Sequence, residues 1–331
     1  MKIALVGAGR IGQLHGRVVA AQPDVSELIV FDVDAARARE TAEAAGGRVA
    51  VSPEEALDGA DAVLIAASTD AHARLVSMAV DRRLPVFCEK PLAFDLDETV
   101  ALVDKIEAAG ATVQVGFQRR FDRAYLEARR LVASGELGTV YLVRLIAHDH
   151  EPPPDAYIPV SGGLFRDSSI HDFDALRWVT GLEVEELYAV GSVRGFPVFA
   201  RYDDVDTGAV ILTMTDGTLG VLGQTRHDPR GYDIRMEVVG SKDAVAVGLA
   251  AATPLRSLEA DAPAMPGPAW TSFLTRFESA YRAELLEFLR VARREIPSPC
   301  TARDALEAMR ISVAATRSRL EHRPIRLSEV A

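Results

Sequence analysis

Lys90, Asp167 and His171 are the residues of this chain whose types and settings suit proton transfer and charge stabilisation. In SGGLFRDSSIHDFDALRWVTG, Asp167 and His171 lie four apart and Asp174 three further on, a spacing that predicts one shared helical face. A carboxylate beside an imidazole fixes its tautomer and raises its basicity, which suits a general base near neutral pH. Lys90, in CEKPLA, follows a short apolar run. On a buried parallel strand it would emerge at the carboxyl edge, where such sheets bind ligands. Pro91 fixes the turn after it and is a candidate for a cis bond. Arg119 and Arg120, in GFQRRFD, are candidates to reach substrate oxygens. His148 and His150, in HDHEPPP, fall on one face of an alternating run, but two imidazoles without a third ligand at known spacing predict no metal site.

These groups need elements to hold them, and the first such element opens the chain. MKIALVGAGRIGQLHG runs from an apolar strand, Ile3 to Val6, through G-x-G-x-x-G into a helical pattern. Gly7 permits the tight turn, Gly9 lets the backbone approach a pyrophosphate, and Gly12 allows close helix–strand packing. The helix N-terminus then offers free N–H groups to the anion. A second strand, Leu28 to Phe31, ends in Asp32, twenty residues beyond Gly12, where such sites carry the acid that bonds the adenosine ribose hydroxyls. A carboxylate there opposes a 2′-phosphate. The expected cofactor is therefore NAD rather than NADP, with Arg37 following on the next helix.

Strand and helix alternate over the first hundred or so residues. AVLIAAS (Ala62 to Ser68) and LPVFCE (Leu84 to Glu89) suit buried parallel strands, with helical patterns between and after them. This predicts an α/β Rossmann-type, doubly wound parallel sheet over residues 1–120. The pattern then changes. GTVYLVRLIAHDH alternates with period two, and EVEELYAVGSV, TGAVILTMTDG, TLGVLGQTRH and YDIRMEVVGSKDAVAV read as further strands. Residues 121–331 are expected to form an α+β domain on a large, open, mostly antiparallel sheet. Two helical runs, SFLTRFESAYRAELLEFLRVARRE and TARDALEAMRISVAATRSRLE, end it, and DAPAMPGPAW reads as a Pro-rich loop.

The bulk composition narrows the function classes. The 331 residues suffice for about two domains, and a 48% hydrophobic, 26% charged chain is ordinary globular material. A net charge of −11 argues against nucleic acid or an anionic membrane surface as partner. No apolar run approaches a membrane span, and the N-terminal apolar stretch is broken by Arg10 and already used as a strand. Cys88 and Cys300 are far apart and read as reduced thiols of a cytoplasmic protein.

GAGRIG, EKPLA, GFQRRFD and SGGLFRDSSIHDFDALRW together resemble the Gfo/Idh/MocA oxidoreductases over essentially the whole chain, and within them the inositol-oxidising group. The resemblance implies a Rossmann domain, NAD, a polyol substrate and a homo-oligomer, a tetramer assembled through the open sheet. It places the family's catalytic lysine, aspartate and histidine on Lys90, Asp167 and His171. Cofactor contacts are implied at Gly7, Gly9, Arg10, Ile11, Gly12, Asp32, Arg37, Ser68, Thr69, His72, Glu89 and Lys90. Substrate contacts are implied at Lys90, Arg120, Asp167, His171, Asp174 and Tyr232, with the strand histidine falling on His148 or His150. The implied reaction is oxidation of myo-inositol to 2-keto-myo-inositol. A dehydrogenase for another inositol isomer or an aldose would keep the same residues. An NAD-dependent glycoside hydrolase of the same superfamily is a rival of another class, and intact Lys90 and His171 argue against a non-catalytic regulator.

Overall fold

The computed structural model describes residues 1–261 and 267–330, so part of the Pro-rich stretch expected at 261–270 lies outside the described residues. The chain divides into two compact units, Met1–Gln118 with Ser279–Glu307, and Arg119–Glu278 with Ala308–Ala331. The expected boundary near residue 120 thus has a counterpart at 118–119. Residues 279–307, expected with the second domain, instead cluster with the first.

The first unit is built on β1 (Lys2–Val6), β2 (Glu27–Phe31), β3 (Arg48–Val49), β4 (Ala62–Ile65), β5 (Val86–Glu89) and β6 (Val113–Gly116). They form one sheet in the order β3-β2-β1-β4-β5-β6, and every pairing in it is parallel. Helices between successive strands make such a sheet apolar on both faces, which is why β1, β4 and β5 are near-continuous hydrophobic runs. The strand order reverses between β1 and β4, the switch point at which α/β sheets open a crevice for ligands. Ile3, Leu5, Leu28, Leu64 and Phe87 form its core with Leu285, Phe288 and Leu289 of the helix Glu278–Ala292. Burial of that helix's apolar face explains why residues 279–307 belong here. Gln114 supports it, its side-chain amide donating to the Glu284 carbonyl at 3.1 Å.

The second unit carries β7 (Val140–His148), β8 (Val184–Ser192), β9 (Thr207–Met214), β10 (Leu219–Thr225), β11 (Asp233–Gly240), β12 (Ala244–Val247) and β13 (Ile325–Arg326). Their order is β12-β11-β7-β10-β9-β8-β13. All pairings are antiparallel except β7 with β10, which run parallel and pair His148 with Thr225. Along β7 Val143, Leu145 and Ala147 are buried while Arg144 between them is exposed; Tyr141, on the same side as the buried three, is exposed at the start of the strand. On the outward face Ile211 pairs with both Tyr188 and Val221, leaving an exposed apolar strip.

The helical reading of DSSIHD needs correction. One short helix ends at Asp167 and the next runs Ile170–Thr180, so Asp167 and His171 do not share a continuous helical face. Ser168 and Ser169 occupy the break, and the Ser169 hydroxyl bonds the Gln224 side chain. The first of the two C-terminal runs also divides, at Phe277, into Phe273–Arg276 and Glu278–Ala292.

Candidate active site

In the first unit, the loop after β1 is shaped by its glycines. Gly7 has φ +98°, and a Cβ there would lie 2.4 Å from the Ala66 carbonyl carbon. A Cβ on Gly12 would lie 2.1 Å from the Gly7 carbonyl oxygen, so the helix Arg10–Ala20 can start this close to the loop only with glycine there. Gly9 differs, because its Cβ would meet nothing within 4 Å. It is also the N-cap of that helix, with no side chain satisfying the helix's first N–H groups. Open space over an uncapped helix start is what an anionic pyrophosphate needs.

Asp32, at the end of β2, accepts hydrogen bonds from the N–H groups of Ala8 (2.7 Å) and Asp34 (2.8 Å), and Arg37 lies 3.3 Å from it. The acid is thus fixed against the glycine loop. Arg10 is exposed and Ile11 half-buried beside it. Ser68 is exposed at the N-cap of the helix Thr69–Asp81, again with no side-chain cap.

Lys90 follows β5 and joins Pro91 through a cis peptide. Its surroundings are built by two histidines. His72, buried, sets Nδ1 2.8 Å from the Pro91 carbonyl and Nε2 3.1 Å from that of Ala67. Burial pushes its pKa down, against the opposing pull of the two carbonyls. His15, also buried, places Nε2 2.6 Å from Glu89 Oε1 and packs edge-on against Phe87. Gly116, paired with Glu89 across the sheet, leaves room for that carboxylate, since a Cβ there would lie 3.0 Å from Glu89 Oε2. Sequence reasoning missed His15. Its spacing three residues after Gly12 was the available signal.

In the second unit, Asp167 is held from two sides. The Tyr157 hydroxyl donates to its Oδ1 at 3.0 Å, and Arg226 Nη2 lies 2.9 Å from its Oδ2. Neither residue stood out in the sequence. His171 is half-buried at the start of its helix. Arg120 and Asp174, both expected at the substrate, are brought to each other: Nε and Nη2 donate to the two carboxylate oxygens at 2.9 and 2.6 Å, and both residues are buried. Arg119 makes the neighbouring buried pair, donating to Asp172 at 2.5 Å. Burial pushes the Asp172 carboxyl up despite that guanidinium, and carries the adjacent Tyr125 phenol up to about 12. Burial likewise raises Tyr232.

His148 Nδ1 lies 3.6 Å from Asp228, and His150 Nδ1 lies 3.1 Å from the Asp228 carbonyl. His148, Asp228 and Asp233 bring three potential ligand atoms within 4.8 Å of one another. Asp233, however, is already gripped by Arg235, whose Nε and Nη2 lie 2.9 to 3.2 Å from its oxygens. A cation there would have to displace a guanidinium.

The crevice, glycine loop, uncapped helix start and Asp32 together define a dinucleotide-binding Rossmann protein. Residues 1–117 match the model of an oxidoreductase family with an NAD-binding Rossmann fold, and residues 125–246 match the GFO/IDH/MocA C-terminal domain. The chain belongs to the GFO/IDH/MocA family and is an NAD-dependent oxidoreductase. It is 39% identical over 324 residues to a myo-inositol dehydrogenase of Streptomyces leeuwenhoekii, covering 96% of this chain and 97% of that one. It is 35% identical over 334 residues to a myo-inositol 2-dehydrogenase of Thermotoga maritima, covering 100% and 99%. Among solved structures it is similar to a scyllo-inositol dehydrogenase from Lactobacillus casei with bound NAD(H) and scyllo-inositol, at TM-score 0.86 and 26% identity over 99% of each chain. No helix of the described residues is long and apolar enough to cross a membrane.

Proposed function

We propose that this oxidoreductase converts one secondary hydroxyl of an inositol to a ketone, with myo-inositol giving 2-keto-myo-inositol. The observation that carries the reading is the clamped Asp167 four residues before His171, in a chain similar to inositol dehydrogenases along its whole length. Gly9, the uncapped helix start and Asp32 hold the NAD, which supplies the hydride acceptor when bound. His171 takes the hydroxyl proton. Asp167, its oxygens already engaged by Tyr157 and Arg226, favours the imidazolium that forms. Lys90 stabilises the developing alkoxide as a preorganised cation. Arg120 and Asp174 act as a buried pair that fixes the start of the Ile170–Thr180 helix and offers polar groups to the polyol. The strand histidine that contacts the polyol is His148 or His150, both half-buried beside Asp228.

The scyllo-inositol dehydrogenase among the similar structures favours scyllo-inositol as the second reading. A panel of myo-, scyllo- and chiro-inositol and common aldoses with NAD, following reduced nicotinamide, decides between them. The highest kcat/KM is expected with myo-inositol. Preference for an aldose, or no net reduced cofactor with any of them, would remove the proposal. The buried, unbridged Cys88 and Cys300 fit a reducing, cytoplasmic setting. The exposed strip of Tyr188, Ile211 and Val221 supports a homo-oligomer, a tetramer formed through this sheet face. Light scattering at micromolar concentration is expected to give a mass above the monomer, and a monomer mass would refute it.

A further inference from the structure

We propose that Arg226 is a positioning residue of the proton-transfer site, holding Asp167 by its carboxylate from the carboxyl end of the β7–β10 pair. The inference rests on the role given to Asp167 above. It starts from register. β7 and β10 run parallel and pair His148 with Thr225, so Asp149 and Arg226 are the next residues out along neighbouring strands. Their backbones are fixed there: the Asp149 N–H donates to the Thr225 carbonyl at 3.0 Å, and the Arg226 N–H to that of Asp206 at 2.7 Å. The loop beyond returns to the same place, with the Asp228 N–H donating to the Asp149 carbonyl at 2.6 Å.

From this anchored start the Arg226 side chain is buried, 4% exposed, and its guanidinium spans two carboxylates. Nη1 lies 3.4 Å from Asp149 Oδ2, and Nη2 lies 2.9 Å from Asp167 Oδ2. A buried guanidinium is tolerated when carboxylates compensate it. Burial alone would lower its pKa, yet Asp167 and Asp149 more than reverse that and push it up. Asp167 belongs to a helix of only four residues, Leu164–Asp167, which has little stiffness of its own. Its carboxylate therefore depends on the grip of Arg226 and Tyr157 for its position, and the sheet edge supplies the rigid end of that grip. Arg226 touches neither substrate nor cofactor in this account. It acts through Asp167.

The test is a double-substitution cycle in the full chain with NAD and the best polyol of the panel. Arg226→Met is expected to lower kcat on the order of 10²-fold, the scale of a small misplacement of a reacting group, with KM for NAD unchanged. Asp167→Asn lowers kcat too, and the double variant should fall little below Asp167→Asn alone, because both changes act on one group. Arg226→Lys keeps the charge but loses the fork, and should recover part of the rate. If Arg226→Met does not fold, Arg226→Lys carries the test, with a loss of about tenfold in kcat expected against the Arg–Lys difference at forked sites. Multiplicative losses in the double variant would make Arg226 merely structural and overturn the proposal. So would parental kcat in folded Arg226→Met, or in Arg226→Lys where that variant stands in for it. A folded Asp167→Asn with parental kcat would instead overturn the role of Asp167 itself.

Discussion

His171→Ala lowers kcat by about 10²–10⁴-fold, the usual worth of a positioned general base, while NAD still binds. His171 belongs to the second unit, whereas the glycine loop and Asp32 are built by the first unit's own residues, so its loss leaves those nucleotide contacts in place. Truncation at the start of an eleven-residue helix, where the ring is only half-buried, should leave the fold intact by circular dichroism. Lys90→Ala is expected to fall comparably, because it removes charge stabilisation that matters most in the transition state. A base must be unprotonated to act, so oxidation by the parent enzyme is expected to rise with pH. Measured kcat for myo-inositol, beside NAD titration by nicotinamide fluorescence, decides the matter. A folded His171→Ala protein with near-parental kcat at neutral pH would take the histidine out of the mechanism.

The second large effect separates two glycines of one loop. Gly9→Ala adds a methyl to open space at a residue whose φ of −69° any side chain accepts, so the apo fold should melt as the parent does. That space is the one assigned to the pyrophosphate, and NAD affinity should fall by tenfold or more, at least about 1.4 kcal/mol. Gly12→Ala puts its methyl 2.1 Å from the Gly7 carbonyl oxygen, a backbone atom that cannot turn aside. Loop and helix must separate, so Gly12→Ala should lose both NAD binding and stability, with a cost of roughly 1–3 kcal/mol for overpacking. Denaturant melts with and without NAD distinguish the two. Equal apo stability for both variants, or parental NAD affinity in Gly9→Ala, would contradict this account of the loop.

Much of this architecture was legible because its signals are local. The run from Ile3 through Gly12 announces a strand, a loop and a helix within a dozen residues, and Asp32 follows at a fixed distance. Period-two alternation marked β7 as a strand for the same reason. What escaped were groups that meet through the fold. His15 and Glu89 are 74 residues apart, and Arg226 and Asp167 are 59 apart, so no periodicity links either pair. The parallel pairing of β7 with β10 belongs to the same class, since an alternating strand carries no mark of its neighbour's direction. At Asp167 and His171 the error was of another kind. The i, i+4 spacing assumed an unbroken helix, and Ser168–Ser169 was the local warning against it.

The return of Ser279–Glu307 to the first unit has a consequence for how the chain is made. A ribosome releases the nucleotide-binding strands early, yet Leu285, Phe288 and Leu289, which complete their interior, emerge only after the whole seven-stranded sheet but its last short strand. Until then the nascent first unit carries an uncovered apolar face, the kind of surface chaperones hold during synthesis. A fragment ending at Gln118 would keep that face permanently, so nicking the chain at the 118–119 boundary cannot yield a self-sufficient nucleotide-binding half.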